Sequence, residues 1–570
     1  MKKSIALILV LVMALGVFAG CGGKGNAGGG GSGGSTFVPS PPPAGTDSET
    51  PLRIQWYQSI GVNTLFEGPH VESSLSLATP MIWSSMGYYD AVKADYVKTI
   101  AKDYGHNENY TEWWITMNDG ITWHDGEPVT LDDLYFSVFN AILNPNSKTY
   151  LAFEDVKGYR EMRETTDGTQ DSMENCEIEG IYFDGDKLCF KLIASRPTFY
   201  TYMLSVYLLP SHILGGETWA DVDLHDYWRK PIGCGPYQIE EVKFPDYFTM
   251  TRYDGYFGKP AGIKNVECIN YSTGGSDAVV AAMINEQLDF VNRTAIMDRV
   301  MADSVVAQNP NVRAMAMPGF GIRGFVFNMG DRQDGKVKDD LKKKEVRQAF
   351  DLLMDQESIA YLNQCTPTYT ISSAAGYDYN TDLVRPAYDV EAAKKLLDEA
   401  NFDYSKTYDI CYYYTDQTSH DTMALIKQQF AAAGVKIDYK CYTESLNDVI
   451  YNRSNFDMLY IFMAASGEMP CGHIGSITSG GTFSYMGAKA ERAKYIDPLF
   501  NKYRTATTKE ERAEISKQIQ AANFEQCFVL ACYSMTNYCA YNTTTLYIPE
   551  EVFSVDGNGN FRFEDWRILG

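Results

Sequence analysis

The feature that most constrains this chain is the run Trp113-Trp114-Ile115-Thr116-Met117-Asn118-Asp119-Gly120-Ile121-Thr122-Trp123-His124-Asp125-Gly126-Glu127-Pro128-Val129-Thr130, continued by Leu131-Asp132-Asp133-Leu134-Tyr135-Phe136-Ser137. Trp113, Ile115 and Met117 alternate with Trp114 and Thr116 as the inward residues of a half-buried strand do, and Asn118-Asp119-Gly120 tolerates the positive φ of a hairpin turn. A second strand over 121–123 is expected to follow. Asp125-Gly126 breaks it, and Thr130 with Asp133 three residues on matches an N-cap whose carboxylate returns to a free amide. Leu134, Val138, Ala141 and Ile142 then recur at helical spacing up to Asn144-Pro145. The segment predicts a hairpin, a turn and a capped helix.

Other elements are read in the same way. Leu52 to Trp56 alternates as a strand, and Gly180 to Leu192 reads as a hairpin closed through Asp184-Gly185, which the family resemblance given below implies is part of a central sheet. Asp389 caps a helix with the apolar stripe Ala392, Ala393, Leu396, Leu397 and Ala400. A strand with Tyr408, Ile410, Tyr412 and Tyr414 leads into a helix capped by Ser419 and closed by Gly434, and the strand Val435 to Cys441 follows at once. That is a βαβ unit and predicts parallel pairing. Thr508 and Glu511 mark one more capped helix.

At 570 residues the chain exceeds what one core supports. Met1-Lys2-Lys3, the apolar run Ile5 to Phe18 and the small residues after it form a secretory signal, too short for a stable membrane span. Gly22 to Thr50 is a tether, glycine-rich to Ser35 and stiffened by Pro39, Pro41, Pro42 and Pro43; as a coil it spans roughly 30 Å. No later stretch is long and apolar enough for a membrane helix.

The net charge of −24 repels phosphate backbones and argues against nucleic acid. Neither the 12 cysteines nor the 7 histidines show zinc spacing, so no metal and no cofactor are expected. With Cys21 set aside the remaining cysteines are odd in number, which predicts scattered apolar thiols over a disulfide framework. Two enzyme motifs fail on context. Gly30-Gly31-Ser32-Gly33-Gly34 matches a nucleophile elbow but lies in the tether, and Gly319-Phe320-Gly321-Ile322-Arg323-Gly324 matches a dinucleotide fingerprint but precedes a strand, so it reads as a bend between lobes. His124 beside Asp125 reads as structural.

The opening run, with Leu209-Pro210-Ser211-His212, Pro231-Ile232-Gly233-Cys234-Gly235-Pro236-Tyr237, Tyr256-Phe257-Gly258-Lys259-Pro260 and Val346-Arg347-Gln348-Ala349-Phe350, resembles the family 5 extracellular solute-binding proteins. These deliver peptides, and in some members nickel or other solutes, to ABC importers. The resemblance runs in order from about Leu52 to the carboxyl terminus. Cys234 stands where the family has threonine. Phe18-Ala19-Gly20-Cys21 is similar to a bacterial lipobox, with phenylalanine in place of the usual leucine, which implies acylation of Cys21.

The fold implied is α/β, periplasmic-binding-protein-like type II: two lobes joined by a hinge, with an extra domain in the first. The expected boundaries are 1–20 for the signal, 21–50 for the tether, 51–80, 179–315 and 528–570 for lobe I, 81–178 for its extra domain and 316–527 for lobe II. In peptide-binding members one strand pairs its backbone with the ligand and an aspartate beyond it binds the ammonium group. Phe462, Met463 and Ala464 match that strand, Ser466 stands at the aspartate's place, and Glu468 is positioned to replace it. Trp83, Tyr150 and Tyr485 are the further ligand-wall candidates.

The resemblance implies a non-enzymatic, lipid-anchored monomer on the extracytoplasmic face, periplasmic where an outer membrane exists, that captures short peptides for ABC permease subunits. Within the family, a nickel chelate or another small solute is the alternative ligand. From other classes, a cell-surface hydrolase or a ligand sensor would use the same cleft.

Overall fold

In the computed structural model, which describes residues 48–56, 64–66, 68, 77–90, 95–147, 149–272, 274–291, 299–336, 339–385, 387–442, 449–450, 454–465, 472–549 and 562–569, the apolar and aromatic runs assemble into one long mixed sheet. In chain order its eleven strands are β1 (Leu52–Trp56), β2 (Tyr237–Lys243), β3 (Tyr247–Arg252), β4 (Asn265–Asn270), β5 (Phe290–Val291), β6 (Val312–Phe327), β7 (Thr366–Pro367), β8 (Thr407–Tyr412), β9 (Lys436–Cys441), β10 (Met458–Met463) and β11 (Val529–Asn542). Their spatial order is β9-β8-β10-β6-β11-β5-β1-β4-β3-β2, with β7 against β11.

The predicted βαβ unit is present. β8 and β9 pair in parallel, linked by the helix Gln417–Ala431, and Gly434 takes the left-handed conformation that ends it. The helix starts earlier than Ser419, because the Asp416 carboxylate accepts both the Ser419 N–H and its hydroxyl at 2.8 Å. A carboxylate is the stronger partner for amides at the positive end of a helix. Asp389 caps its helix as read, accepting the Ala392 N–H at 2.9 Å.

Two large cores sit along the sheet. The first gathers residues from Leu52 to Cys268 together with Phe290, Met317, Cys539, Tyr541 and the carboxyl-terminal Trp566; the second runs from Ile322 to Tyr533. Among the described residues, only β6 and β11 contribute side chains to both. Met317 lies in the first core and Ile322 in the second; Tyr533 lies in the second and Cys539 in the first. Phe528 to Tyr533 thus pack with the second core, and β11 changes core along its own length, beyond position 527/528. The glycine-rich stretch read as a bend is part of β6, where register with β11 is interrupted between Pro318 and Ile322. Among the described residues eight cysteines are buried free thiols.

The opening segment keeps its capped helix and loses its hairpin. Glu112–Met117 is a strand, but it pairs with Ala101–His106 and Lys187–Lys191 instead of with residues 121–123. Ile121 to Val129 folds on itself, Trp123 N–H donating to Glu127 O and Val129 N–H to Ile121 O, as positive-φ Gly126 and Pro128 require. The hairpin Ile181–Asp184 and Lys187–Lys191 forms as read, yet it belongs to this separate four-stranded sheet and not to the central one, because Trp114 and Ile115 pair with Cys189 and Leu188. Thr130 N–H donates to Asp133 Oδ2 at 2.8 Å at the start of the helix Leu131–Leu143.

The loop between Trp123 and the helix serves a second segment. His124 Nδ1 accepts the Gly233 N–H at 3.0 Å and Nε2 bonds to Gly235 O at 3.1 Å, which clips Pro231–Tyr237 in place. Gly233 and Gly235 press on the main chain of Met81 and Ile82. A Cβ on Gly233 would stand 1.8 Å from Ile82 O, and one on Gly235 2.5 Å from Met81 O. Cys234 between them is 1 % exposed, with burial pushing its thiol up to about 12. Its carbonyl accepts the Ser84 hydroxyl at 3.4 Å. An apolar thiol suits that site.

Gly233→Ala is expected to destabilise by roughly 3 kcal/mol or more, read by urea unfolding. Burial holds the His124 pKa down at about 4, ahead of the opposing effects of Gly235 and Asp125, against an unfolded value of 6.5. The unfolded chain therefore binds the proton first, and stability present above pH 6.5 falls as the pH drops from 6.5 to 4. The contribution is up to roughly 3 kcal/mol. His124→Gln should show a correspondingly shallower loss across this window.

Candidate ligand-binding site

A sheet strand binds an extended ligand only where its edge is unpaired. Among the described residues β10 has such an edge. On one side it pairs with β6 along its length, Met463 opposite Ile322; on the other its parallel pairing with β8 stops at Leu459. Beyond that point the Phe462 N–H donates to Tyr414 Oη at 2.7 Å, a side chain standing where a strand partner would stand. Phe462 is 39 % exposed, and its ring covers Gly321, where any Cβ would approach within 2.2 Å. Met463 is buried and faces the second core; Ala464 is exposed. Ser466 and Glu468 lie outside the described residues.

Behind this edge stands Arg323, opposite Phe462 on β10 and Tyr533 on β11. Its guanidinium lies 3.7 Å from the ring centre of Tyr414 and 5.7 Å from that of Tyr460. Tyr460 and Tyr533 share a hydroxyl contact of 2.7 Å. Burial works against the arginine's charge, but the tyrosine hydroxyls and Asp416 outweigh it and raise its pKa.

A cavity of about 1080 Å³ opens between segments of the two cores. One wall comes from 141–160 and 196–206, the other from 475–482 and 497–504. Phe153, Tyr202 and Phe500 give it aromatic faces; Arg160, Arg196 and Arg504 line it together with Glu154 and Asp497. Asp155, 9 % exposed at its side chain, joins the walls by accepting from both Arg196 and Arg504. Arg196 also donates to Tyr202 Oη at 2.9 Å, and Arg504 lies 3.6 Å from Glu154.

The remaining candidates divide. Tyr150 is half-buried under Arg163, whose guanidinium lies 4.1 Å from the ring centre, and its chain neighbours Thr149 and Ala152 line the cavity. Tyr485 lies in the short turn Ser484–Met486, packed on the second core, two residues beyond Phe483 and three beyond the cavity-lining Thr482. Trp83 is 1 % exposed in the first core, its indole N–H donating to Tyr227 Oη at 3.2 Å and its ring edge-on to Phe66 at 5.1 Å. It offers no free face to a ligand in this conformation.

Sequence reading missed the charged members. Arg323 carried a signal, a lone cation among Gly321, Ile322, Gly324, Phe325 and Val326. Arg196 and Arg504 carried none, since their role depends on two distant segments meeting.

Removing Arg504 should loosen the contact between the walls without stranding a buried charge, whereas Asp155→Asn leaves Arg196 unmatched. Asp155→Asn is expected to cost about 3 kcal/mol. Arg504→Gln should cost less and raise the radius of gyration in solution scattering; an unchanged radius would show that this bridge does not hold the walls together.

Comparison with known proteins adds an independent line. The family model for bacterial extracellular solute-binding proteins, family 5 middle, matches residues 95–481. The oligopeptide-binding protein AppA of Bacillus subtilis is 27% identical over 358 residues, 60% of this chain and 58% of that protein. The chain thus spans somewhat over half the length of such relatives. The structure of that AppA in complex with a nonapeptide matches with a TM-score of 0.68 at 18% identity, over 91% of this chain and 99% of the other. NikZ from Campylobacter jejuni, in complex with Ni(L-His), matches at 0.69 and 18%, with the same coverage. These two likenesses establish the two-lobed type II fold.

Proposed function

Because the chain belongs to the bacterial extracellular solute-binding proteins of family 5, we propose that it is the substrate-binding component of an ABC importer and captures short peptides for a permease. The observation that carries the peptide reading is the bare edge of β10 beyond Leu459, where Phe462 already lends its N–H to a hydroxyl. An extended backbone is the ligand that such an edge recognises. The cavity of about 1080 Å³ supports it, being at or above the upper end of small-molecule sites, roughly 300–1,000 Å³. The relative AppA, named for oligopeptide binding, points the same way.

The protein binds without turnover, as a monomer, and leaves the energy of transport to a separate ATPase. Acylation at Cys21 would hold it at the extracytoplasmic face, with 21–50 as the tether; among the described residues no helix is long and apolar enough to cross a membrane. The lobes, with residues 81–178 as the extra domain of the first, close by bending where β6 and β11 change core.

The test uses the mature chain carrying Cys21→Ser, screened by thermal shift against a short-peptide library, nickel with histidine, and sugars. Peptides are expected to stabilise it saturably, by about 2.7 kcal/mol at a hundred times Kd, and to be recovered intact by mass spectrometry. Response to nickel-histidine alone would replace the peptide by a chelate, and cleavage of the bound peptide would make the protein a hydrolase.

A further inference from the structure

We infer that Arg323 is the seat for a carboxylate of the captured ligand, at the bare edge of β10. The inference rests on the peptide reading above and names what that site selects.

The fold gives its buried arginines partners from within, although Arg332, Arg385 and Arg492 each keep one buried nitrogen without a hydrogen bond. Arg332 meets Asp334, Asp409 and Asp457. Arg347 donates to the carbonyls of Leu341, Lys342, Gln526 and Cys527, Arg492 to those of Gly487 and Ile477, and Arg196 to Asp155. Arg323, half-buried, differs in having no such partner: its Nε is buried without a hydrogen bond, and among the described residues no carbonyl or carboxylate takes a hydrogen bond or an ion pair from its guanidinium. The acid that acts on it, Asp416, is committed to the N–H and hydroxyl of Ser419. What surrounds the guanidinium is aromatic: Tyr414 and Tyr460.

A guanidinium carries five N–H donors in a planar fork, and shielding it from water without an anion is costly. Stacking on a tyrosine fixes its plane and leaves those donors unused. A carboxylate completes the site in two parallel hydrogen bonds.

Position supplies the second half of the argument. Arg323 is the cross-strand partner of Phe462, the residue whose N–H points off the open edge. Tyr414 serves both, stacking on the guanidinium and holding that N–H at 2.7 Å. A ligand carbonyl that takes the Phe462 N–H displaces the Tyr414 hydroxyl, and the same ligand then lies beside Arg323. Backbone pairing and carboxylate recognition are thereby joined in one place.

The test compares short peptides of one sequence as free acid, as carboxyl-terminal amide, and as amide carrying one glutamate, titrated calorimetrically into the mature chain and into Arg323→Gln and Arg323→Lys. The wild type is expected to bind the free acid at least about tenfold more tightly than the plain amide. Arg323→Gln should bind acid and amide alike, at the wild type's affinity for the amide, and Arg323→Lys should fall between, keeping charge but not the fork. Recovery of affinity by the glutamate-bearing amide assigns the seat to a side-chain carboxylate; failure to recover assigns it to the terminal one.

Equal binding of all three peptides by the wild type would overturn the inference while leaving peptide capture intact, and this arm needs no variant. An equal loss for all peptides in Arg323→Gln would make the residue structural. Binding of no peptide at all would remove the reading on which the inference stands, and the inference with it.

Discussion

The antiparallel pairing of β6 with β11 is the constraint on which the rest of this molecule depends. Both strands are long enough to bury side chains in two cores, and they do so in opposite directions, Met317 and Cys539 in the first and Ile322 and Tyr533 in the second. The other strands of the sheet are attached to this pair: β9, β8 and β10 beyond β6, β5, β1, β4, β3 and β2 beyond β11, and the short β7 against β11. The open edge of β10, Arg323 and the walls of the cavity take their positions from this pair.

Much of the scaffold was legible before any coordinates. Periodicity located β1, the βαβ unit of β8 and β9, and the caps at Asp389 and Thr130, because each rests on contacts within a few residues. Pairing was less legible. Ile121–Trp123 alternates as a strand should, yet Gly126 and Pro128 turn it into a self-closed loop, and the hairpin at 181–191 gives no local sign of which sheet it joins. Strand partners are chosen by tertiary packing, which a local pattern does not record.

The site divides on the same line. Phe462 and Met463 were expected on a strand from the family's words, and they end the strand Met458–Met463. Trp83 occupies a familiar segment but is absorbed into the first core. Asp155, Arg196 and Arg504 come from segments far apart in the chain, and nothing in any one of them announces the meeting.

Where β6 and β11 pass from one core to the other, register is lost between Pro318 and Ile322, and Gly319 lies so close to Met535 that a Cβ would stand 2.0 Å from its carbonyl. Two ribbons lying side by side, weakened at one level, behave as a leaf spring. They flex readily across their flat face and resist shear and torsion. Bending across that flat face is the motion such a connection permits most easily, and it changes one coordinate above all, the width of the gap between the two cores.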